Sequence, residues 1–578
     1  MRGVGSDKRK KVVGWFGNQY SVFRDRRFAI CDLRFAISHT RYAIREQTMS
    51  DFPSRRSVVR AQHGIVATSQ TLASVAGLRM LLNGGNAIDA AIAAAATLNV
   101  VEPASTGIGG DMFALVWIAR EQKLYALNGS GRAPAALTIQ ECRMRGATKE
   151  MPAMGWLPVT VPGAVDGWAQ LLNRFGIMNF AQVLEPAIDY AENGFPLTEL
   201  IANGFARMQP KLDMNPEAAR VYLKRDEPPR VGQILLQPDL AKTFRMIARD
   251  GRDAFYLGEI ANQIAIHAYK TGGFITKQDL ANHRSTWEEP ISTRYKEVTL
   301  YECPPNGQGI VALNALNILG GFDLIEMEHN SAEYAHHLIE ALKLAFADAF
   351  AHVADPSVVQ VPTEKMLSKK YAAERRAMIH PLSAMEFPRA GFSVGNDTIY
   401  LSVVDQERNC VSFINSLYDG FGSGIVVPGT GIALQNRGAN FSLDPKSPNA
   451  LAPNKRPYHT IIPAMAFRNE KPWLSYGLMG GFMQPQGHVQ VLLNMTDFKM
   501  NPQRALDAPR VRVFANGAVA LEDAFDNDTR VALATRGHNL VEADRPEFGG
   551  GQIIEIDPET GALAAGSDSR KDGAAVGY

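Results

Sequence analysis

The chain has 578 residues, 46% of them hydrophobic and 21% charged, with a formal net charge of +1. These values describe a globular protein too long for one ordinary core, and they exclude a global field that would draw nucleic acid or anionic lipid. The four cysteines, Cys31, Cys142, Cys303 and Cys410, stand too far apart for a CxxC motif or a disulfide framework, so a reducing compartment and no metal site are expected.

Residues 1–48 are basic and contain RFAI (27–30), RFAI (34–37) and RYAI (41–44), which places Arg27, Arg34 and Arg41 at a seven-residue period. An amphipathic membrane helix is one reading. Translation of repetitive upstream DNA, with Met49 as the true start, is the other, and it is preferred because MSDFPSRR leads straight into well-patterned sequence. No uninterrupted apolar stretch near Met1 or Met49 reads as a secretory signal, and no run of about 18 apolar residues is long enough to span a bilayer. A cytoplasmic protein that binds neither membrane nor nucleic acid is expected.

Residues 68–103 read as two helices broken at Gly84–Gly85, with Ser69 or Thr71 capping the first and Asn86 the second. The second, 87–99, is almost all alanine and isoleucine, so it has no face to offer water and must be buried. STGIGGDMFALVWI (105–118) gives a glycine-rich turn and a buried strand, without the spacing of a phosphate-binding loop. Residues 123–137 read as a strand followed by a loop, 159–176 as a turn then a helix, 180–197 as a helix stopped at Gly194, and 331–356 as the longest amphipathic helix. His336 and His337 sit next to each other on that last helix, about 100° apart, and read as a helix surface and core edge rather than as metal ligands. The polar stretch 357–394 reads as a mobile linker. From residue 398 the character changes to near-continuous apolar strands with few helices, which implies sheets covered on both faces and a layered α/β/β/α sandwich.

GNDTIYLSVVD (395–405) raises a chemical question, because Thr398 opens a strand directly after a flexible Gly-Asn-Asp. A threonine there can simply be a β-former. It can also become an N-terminal nucleophile. Attack of its hydroxyl on the Asp397 carbonyl gives an ester, water completes the cut, and the new α-amine, with a pKa near ~7.7, then serves as the base for the hydroxyl.

The residues favour the second reading through a resemblance. GGNAIDAAIAAAATLNVVEPASTGIGGDMF (84–113), VPGAVDGW, LEPAIDYAENGFPL, TIYLSVVD and the closing GSDSRKDGAAVGY (566–578) resemble the γ-glutamyltranspeptidase family of N-terminal nucleophile hydrolases, from about Val58 to Tyr578. The resemblance implies a four-layer αββα fold and a precursor cut at Asp397–Thr398 into a large part (49–397) and a small part (398–578). These remain together as an αβ unit, or as a pair of such units, and no cofactor is implied. Thr398 falls on the nucleophile. Gly480 and Gly481 fall on the glycine pair whose N–H groups form an oxyanion hole, and Ser416 falls on a hydroxyl that supports the nucleophile.

The head-group positions depart from the family. Ser130 stands where an arginine is expected, with Arg132 two residues on; Asn440 replaces an acidic residue; His459 and Thr460 replace a serine pair. Losing the guanidinium removes a bidentate carboxylate clamp, and Asn440 offers no charge to an ammonium. The expectation is a self-processing amide hydrolase or acyltransferase with a rebuilt pocket, including Arg437, for an oxamate-like or other small amide substrate. A true γ-glutamyltransferase acting on glutathione and a non-catalytic binding protein on the same fold are the alternatives.

Overall fold

The computed structural model describes residues 56–386 and 397–578, Asp397 by its backbone alone. The extension 1–48, Cys31, and Gly395 and Asn396 of the junction lie outside the described residues. Two seven-stranded sheets, antiparallel throughout, form the centre of the molecule. The first runs in the spatial order Ala574–Gly577, Ile65–Thr68, Asp397–Val404, Cys410–Tyr418, Asp111–Ile118, Lys123–Gly129, Thr286–Glu288. The second runs Val59–Ala61, Leu563–Ser567, Gly550–Ile556, Lys471–Met479, Ala464–Arg468, Val298–Glu302, Ile291–Tyr295.

The strand Asp397–Val404 shows how the layers separate. Ile399, Leu401 and Val403 point into the core shared with the outer helices, whereas Tyr400 and Val404 point between the sheets. This is the two-residue period of a strand buried on both faces. The inter-sheet layer also holds serines, each satisfied across the gap: Ser402 Oγ donates to Ser475 Oγ at 2.6 Å, and Ser412 Oγ accepts from the Ala464 N–H at 3.1 Å. Gly477 is required here, since a Cβ at that position would run into the Tyr400 ring.

Helices Thr71–Leu82, Ala87–Val101 and Ala164–Phe175 cover the first sheet, with Phe180–Asn193 packed on Ala87–Val101, and Gly309–Leu319, Met483–Thr496 and Pro502–Asp507 cover the second, with Ala332–His352 packed on Gly309–Leu319. The result is the four-layer αββα sandwich expected from the sequence. Every residue of Ala87–Val101 is buried, and its alanines let neighbouring helices and the first sheet approach its backbone closely. Asn86 caps it in a full capping box with Asp89. Asp405, one residue past the Asp397–Val404 strand, accepts the Ala87 N–H at 2.9 Å and ties strand end to helix start.

Three expectations change. The first helix begins at Thr71, and its cap is Gln70, whose side chain accepts the Leu72 N–H at 2.6 Å; Ser69 instead donates to Glu102. Part of the polar stretch 357–394 is structured, as helices Thr363–Met366 and Lys369–Arg376. Its charges are used in packing: Lys369 donates to Asn317, and Arg375 pairs with Asp348. His336 and His337 are both buried rather than at a surface. His336 Nε2 lies 2.8 Å from the His380 carbonyl and its Nδ1 lies 2.8 Å from His538 Nε2. Glu340 accepts from Lys343 at 3.0 Å and from the Met385 N–H at 2.8 Å. His336, Glu340 and His538 stand close enough to suggest a metal site, and His538 Nδ1 is buried without a hydrogen-bond partner among the described residues, 4.0 Å from Glu340 Oε1; the other bonds of the cluster hold the backbone of 380–385 near the 536–538 turn.

Because Ala87–Val101 has no open face, added volume cannot be relieved by rotation. Ala94→Leu is expected to destabilise the protein by about 1–3 kcal/mol through overpacking, read as a lower urea midpoint with an unchanged m-value.

Candidate active site

Thr398, Ser416 and Asp111 come from three adjacent strands at the same end of the first sheet. Ser416 is registered opposite Asp111. Between Asp397 and Ile399 the pairing with the Cys410–Tyr418 strand shifts register, so that Thr398 sits at a bulge. Such an irregularity re-aims a side chain out of the regular pleat. Gly109 and Gly110 allow the close approach on the other side, since a Cβ at either would collide with the carbonyl of Ala433 or of Ser416.

Ser416 is the junction of the site. Its Oγ lies 3.1 Å from Thr398 Oγ1, accepts from Arg437 Nη2 at 3.0 Å, and accepts from the Tyr418 N–H at 2.8 Å. Two donors therefore reach the Ser416 hydroxyl oxygen, and either hydroxyl can donate in its contact with Thr398. Arg437 also donates from Nη1 to Thr460 Oγ1 at 2.6 Å and lies over the Tyr418 ring, 4.5 Å from its centroid. The Tyr418 hydroxyl donates to Asn440 Oδ1 at 2.7 Å.

A second buried knot adjoins the first. Asp111 Oδ2 lies 3.1 Å from His459 Nε2, and Oδ1 accepts from Gln435 Nε2 at 2.8 Å and from the Gly131 N–H at 3.0 Å. Burial pushes the Asp111 carboxyl up to about 6, against the opposing pull of the Arg437 guanidinium. Burial, and then Arg437 and Arg456, hold His459 well below its ordinary value, so its ring is neutral. The Ile461 N–H faces His459 Nδ1 at 3.3 Å, which assigns the proton to Nε2, where it points at Asp111. Burial also lowers the Arg437 guanidinium to about 10, with Asp111 opposing, so it stays cationic at neutral pH.

Gly480 and Gly481 follow the strand Lys471–Met479 and precede the helix Met483–Thr496, with φ of +115° and +59°. Left-handed backbone of this kind suits glycine and turns successive N–H groups in one direction. Gln308 Nε2 donates both to the Gly481 carbonyl at 3.0 Å and to the Thr460 carbonyl at 2.7 Å, which couples the glycine turn to the residue that Arg437 holds. Gly480 also lines a cavity of about 270 Å³ together with Ser69, Glu102, Ser105, Arg207 and Lys571.

Of the residues named from sequence, Thr398, Ser416, Arg437 and Thr460 form one hydrogen-bonded chain. Asn440 joins it through Tyr418, and His459 is bound to Asp111. Ser130 is buried at its side: its Oγ donates to Asn128 Oδ1 at 2.7 Å, and Asn306 lies between it and the His459 backbone. The strand ends at Gly129, and Arg132 pairs with Asp355 at 3.0 Å. The sequence reading missed Asp111, Tyr418, Gln435 and Gln308. Asp111 carried a signal, as a lone charge entering an otherwise apolar strand, since such a group needs a partner once buried.

A family model described as gamma-glutamyltranspeptidase matches residues 73–578. The chain is 39% identical over 521 residues to a glutathione hydrolase-like proenzyme of Bacillus subtilis, which covers 89% of this chain and 98% of that protein. It is 35% identical over 529 residues to an oxamate amidohydrolase proenzyme of Klebsiella pneumoniae, covering 89% and 98%. Among solved structures, cephalosporin acylase from Bacillus halodurans superposes with a TM-score of 0.87 at 47% identity, covering 92% of this chain and 98% of that one.

The raised pKa of Asp111 has a definite sign. A carboxyl at about 6 when folded and 3.8 in the ordinary chain holds its proton more tightly in the folded state, so stability is lost as pH rises through that interval. The wild-type stability, measured relative to Asp111→Asn, is expected to fall by up to roughly 3 kcal/mol between pH 4 and pH 7. Urea unfolding of both proteins at each pH checks this.

Proposed function

The chain belongs to the gamma-glutamyltranspeptidase family and is an enzyme, and on that premise we propose that it is a self-processing amide hydrolase whose nucleophile is Thr398 and whose acyl group carries a carboxylate but no α-ammonium. The single observation that carries the substrate reading is the chemistry around Arg437. The buried groups beside Thr398 are a guanidinium, an asparagine amide, a tyrosine hydroxyl and a threonine hydroxyl. The nearby carboxylate, Asp111, is bound by His459, Gln435 and two backbone N–H groups. Asn440 Nδ2 is buried without a partner among the described residues, so the site offers a further donor to an oxygen of the substrate. An ammonium brought against these donors would lose its water and gain no countercharge.

The proposed steps are these. Thr398 Oγ1 attacks the Asp397 carbonyl, the peptide nitrogen leaves as the new α-amine of Thr398, and water hydrolyses the resulting ester. In the mature enzyme that amine takes the hydroxyl proton as Oγ1 attacks a substrate amide, and it returns the proton to the departing amine. Ser416, polarised by Arg437, directs its O–H at the threonine oxygen and steadies its developing charge. The N–H groups of Gly480 and Gly481 receive the oxyanion of the tetrahedral intermediate. Water then releases the acid. The names of the relatives, an oxamate amidohydrolase proenzyme and a cephalosporin acylase among them, support an acyl group other than γ-glutamyl. The glutathione hydrolase-like relative supports the competing γ-glutamyl reading.

Glutaryl p-nitroanilide and γ-glutamyl p-nitroanilide differ only in the α-amino group. The glutaryl compound is expected to have a kcat/KM at least about tenfold higher, which corresponds to ~1.4 kcal/mol of transition-state binding. A preference of that size for the γ-glutamyl compound would contradict the reading and return the protein to glutathione-type chemistry. Arg437→Lys keeps the charge but loses the fork that spans Ser416 and Thr460, and it is expected to lower kcat on the preferred anilide by roughly 10–100-fold, measured as initial rates on fully processed enzyme.

A further inference from the structure

Tyr418 is the last residue of the Cys410–Tyr418 strand, and its φ is +84°. For a bulky side chain this is a strained conformation, costing on the order of 1–3 kcal/mol, and it persists only where its surroundings impose it. Four interactions do so. The Tyr418 N–H donates to Ser416 Oγ at 2.8 Å, and the backbone is the ladder partner of Asp397, where the register shifts. The hydroxyl donates to Asn440 Oδ1 at 2.7 Å, and the ring lies under the Arg437 guanidinium, 4.5 Å from centroid to carbon. A glycine would adopt this backbone without strain, and Gly420 stands only two residues on. The strain is therefore tied to the ring itself and to where the ring points.

We propose that Tyr418 is a positioning residue with two tasks, aligning the Asp397–Thr398 bond for self-cleavage through its backbone, and aiming Arg437 and Asn440 at the acyl group through its ring and hydroxyl. The second task rests on the function proposed above; the first rests only on cleavage at Thr398. The ring holds the guanidinium flat, so that its two ends reach Ser416 and Thr460 at once. The hydroxyl takes the Asn440 amide oxygen, and this turns Nδ2 away from the tyrosine as the donor presented to substrate. A change at Tyr418 would then alter which acyl groups bind well, although the residue itself need not touch the reacting atoms.

Two variants of the full-length precursor separate the tasks. Tyr418→Phe keeps the ring and the backbone conformation and removes the hydroxyl, and with it the bond to Asn440. It is expected to process within about twofold of the wild-type rate, to raise KM for glutaryl p-nitroanilide about tenfold with kcat nearly unchanged, and to leave KM for neutral pentanoyl p-nitroanilide unmoved. Tyr418→Gly relieves the strain and removes the ring. Its processing, followed by intact mass over time on protein that keeps a cooperative urea transition, is expected to slow at least about tenfold, with a lower Tm because a buried ring is lost. The proposal is overturned if Tyr418→Phe shifts KM for both anilides alike or for neither, or if Tyr418→Gly processes at the wild-type rate. If the wild type is processed but hydrolyses neither anilide, the substrate reading fails on its own account. The processing rate of Tyr418→Gly then decides the first task by itself, a slow rate supporting it and a wild-type rate refuting it.

Discussion

The site depends on one oxygen, Oγ of Ser416. It meets Thr398 on one side and takes hydrogen bonds from Arg437 and from the Tyr418 N–H on the others. An O–H group has two acceptor sites and one proton, so this one oxygen can serve Arg437, the Tyr418 N–H and Thr398 together. The register shift at Thr398, the strained backbone of Tyr418 and the burial of Arg437 all converge on this atom. Displacing it would release the threonine hydroxyl from the position the bulge gives it.

Around this oxygen the protein keeps charge inside the molecule. Arg437 is wholly buried, and its countercharge, Asp111, acts through space while its oxygens are held by His459, Gln435 and backbone N–H groups. Buried pairs of this kind contribute little to net stability, but removal of one member leaves the other uncompensated at a cost of several kcal/mol. A dry cation acts on a neighbouring hydroxyl far more strongly than one in water, which fits the role proposed for Thr398. The two glycines at the start of Met483–Thr496 complete the arrangement from the second sheet, with Gln308 linking them to the Arg437 chain. The site therefore exists only because the two sheets stack, and both parts of the chain contribute to it.

The sequence showed most of the layers. A helix such as Ala87–Val101, with no polar face, can only be buried, and the strands after residue 398 are too apolar to face water. The Thr398–Ser416 pairing was legible through resemblance to a family with ordered motifs. The Asp111–His459 contact was not, because its partners lie 348 residues apart and nothing in either local pattern names the other. Arg132 lies past the end of its strand at Gly129, so strand alternation does not carry to it, and its partner Asp355 is remote in sequence. Residues 363–376 resembled a linker because their charges look solvent-bound, whereas several are paired with the helices beneath them. Local periodicity reports the elements; long-range polar contacts become visible only once the sheets are stacked.

The central claim is that the strand Asp397–Val404 is cut at its first peptide bond to make Thr398 an N-terminal nucleophile. Intact mass spectrometry of freshly purified wild-type protein, beside Thr398→Ala, tests it most directly. The account predicts two wild-type fragments, one ending at Asp397 and one beginning at Thr398, with the variant whole. A folded wild type that stays whole at neutral pH, or a cut at another bond, would contradict it.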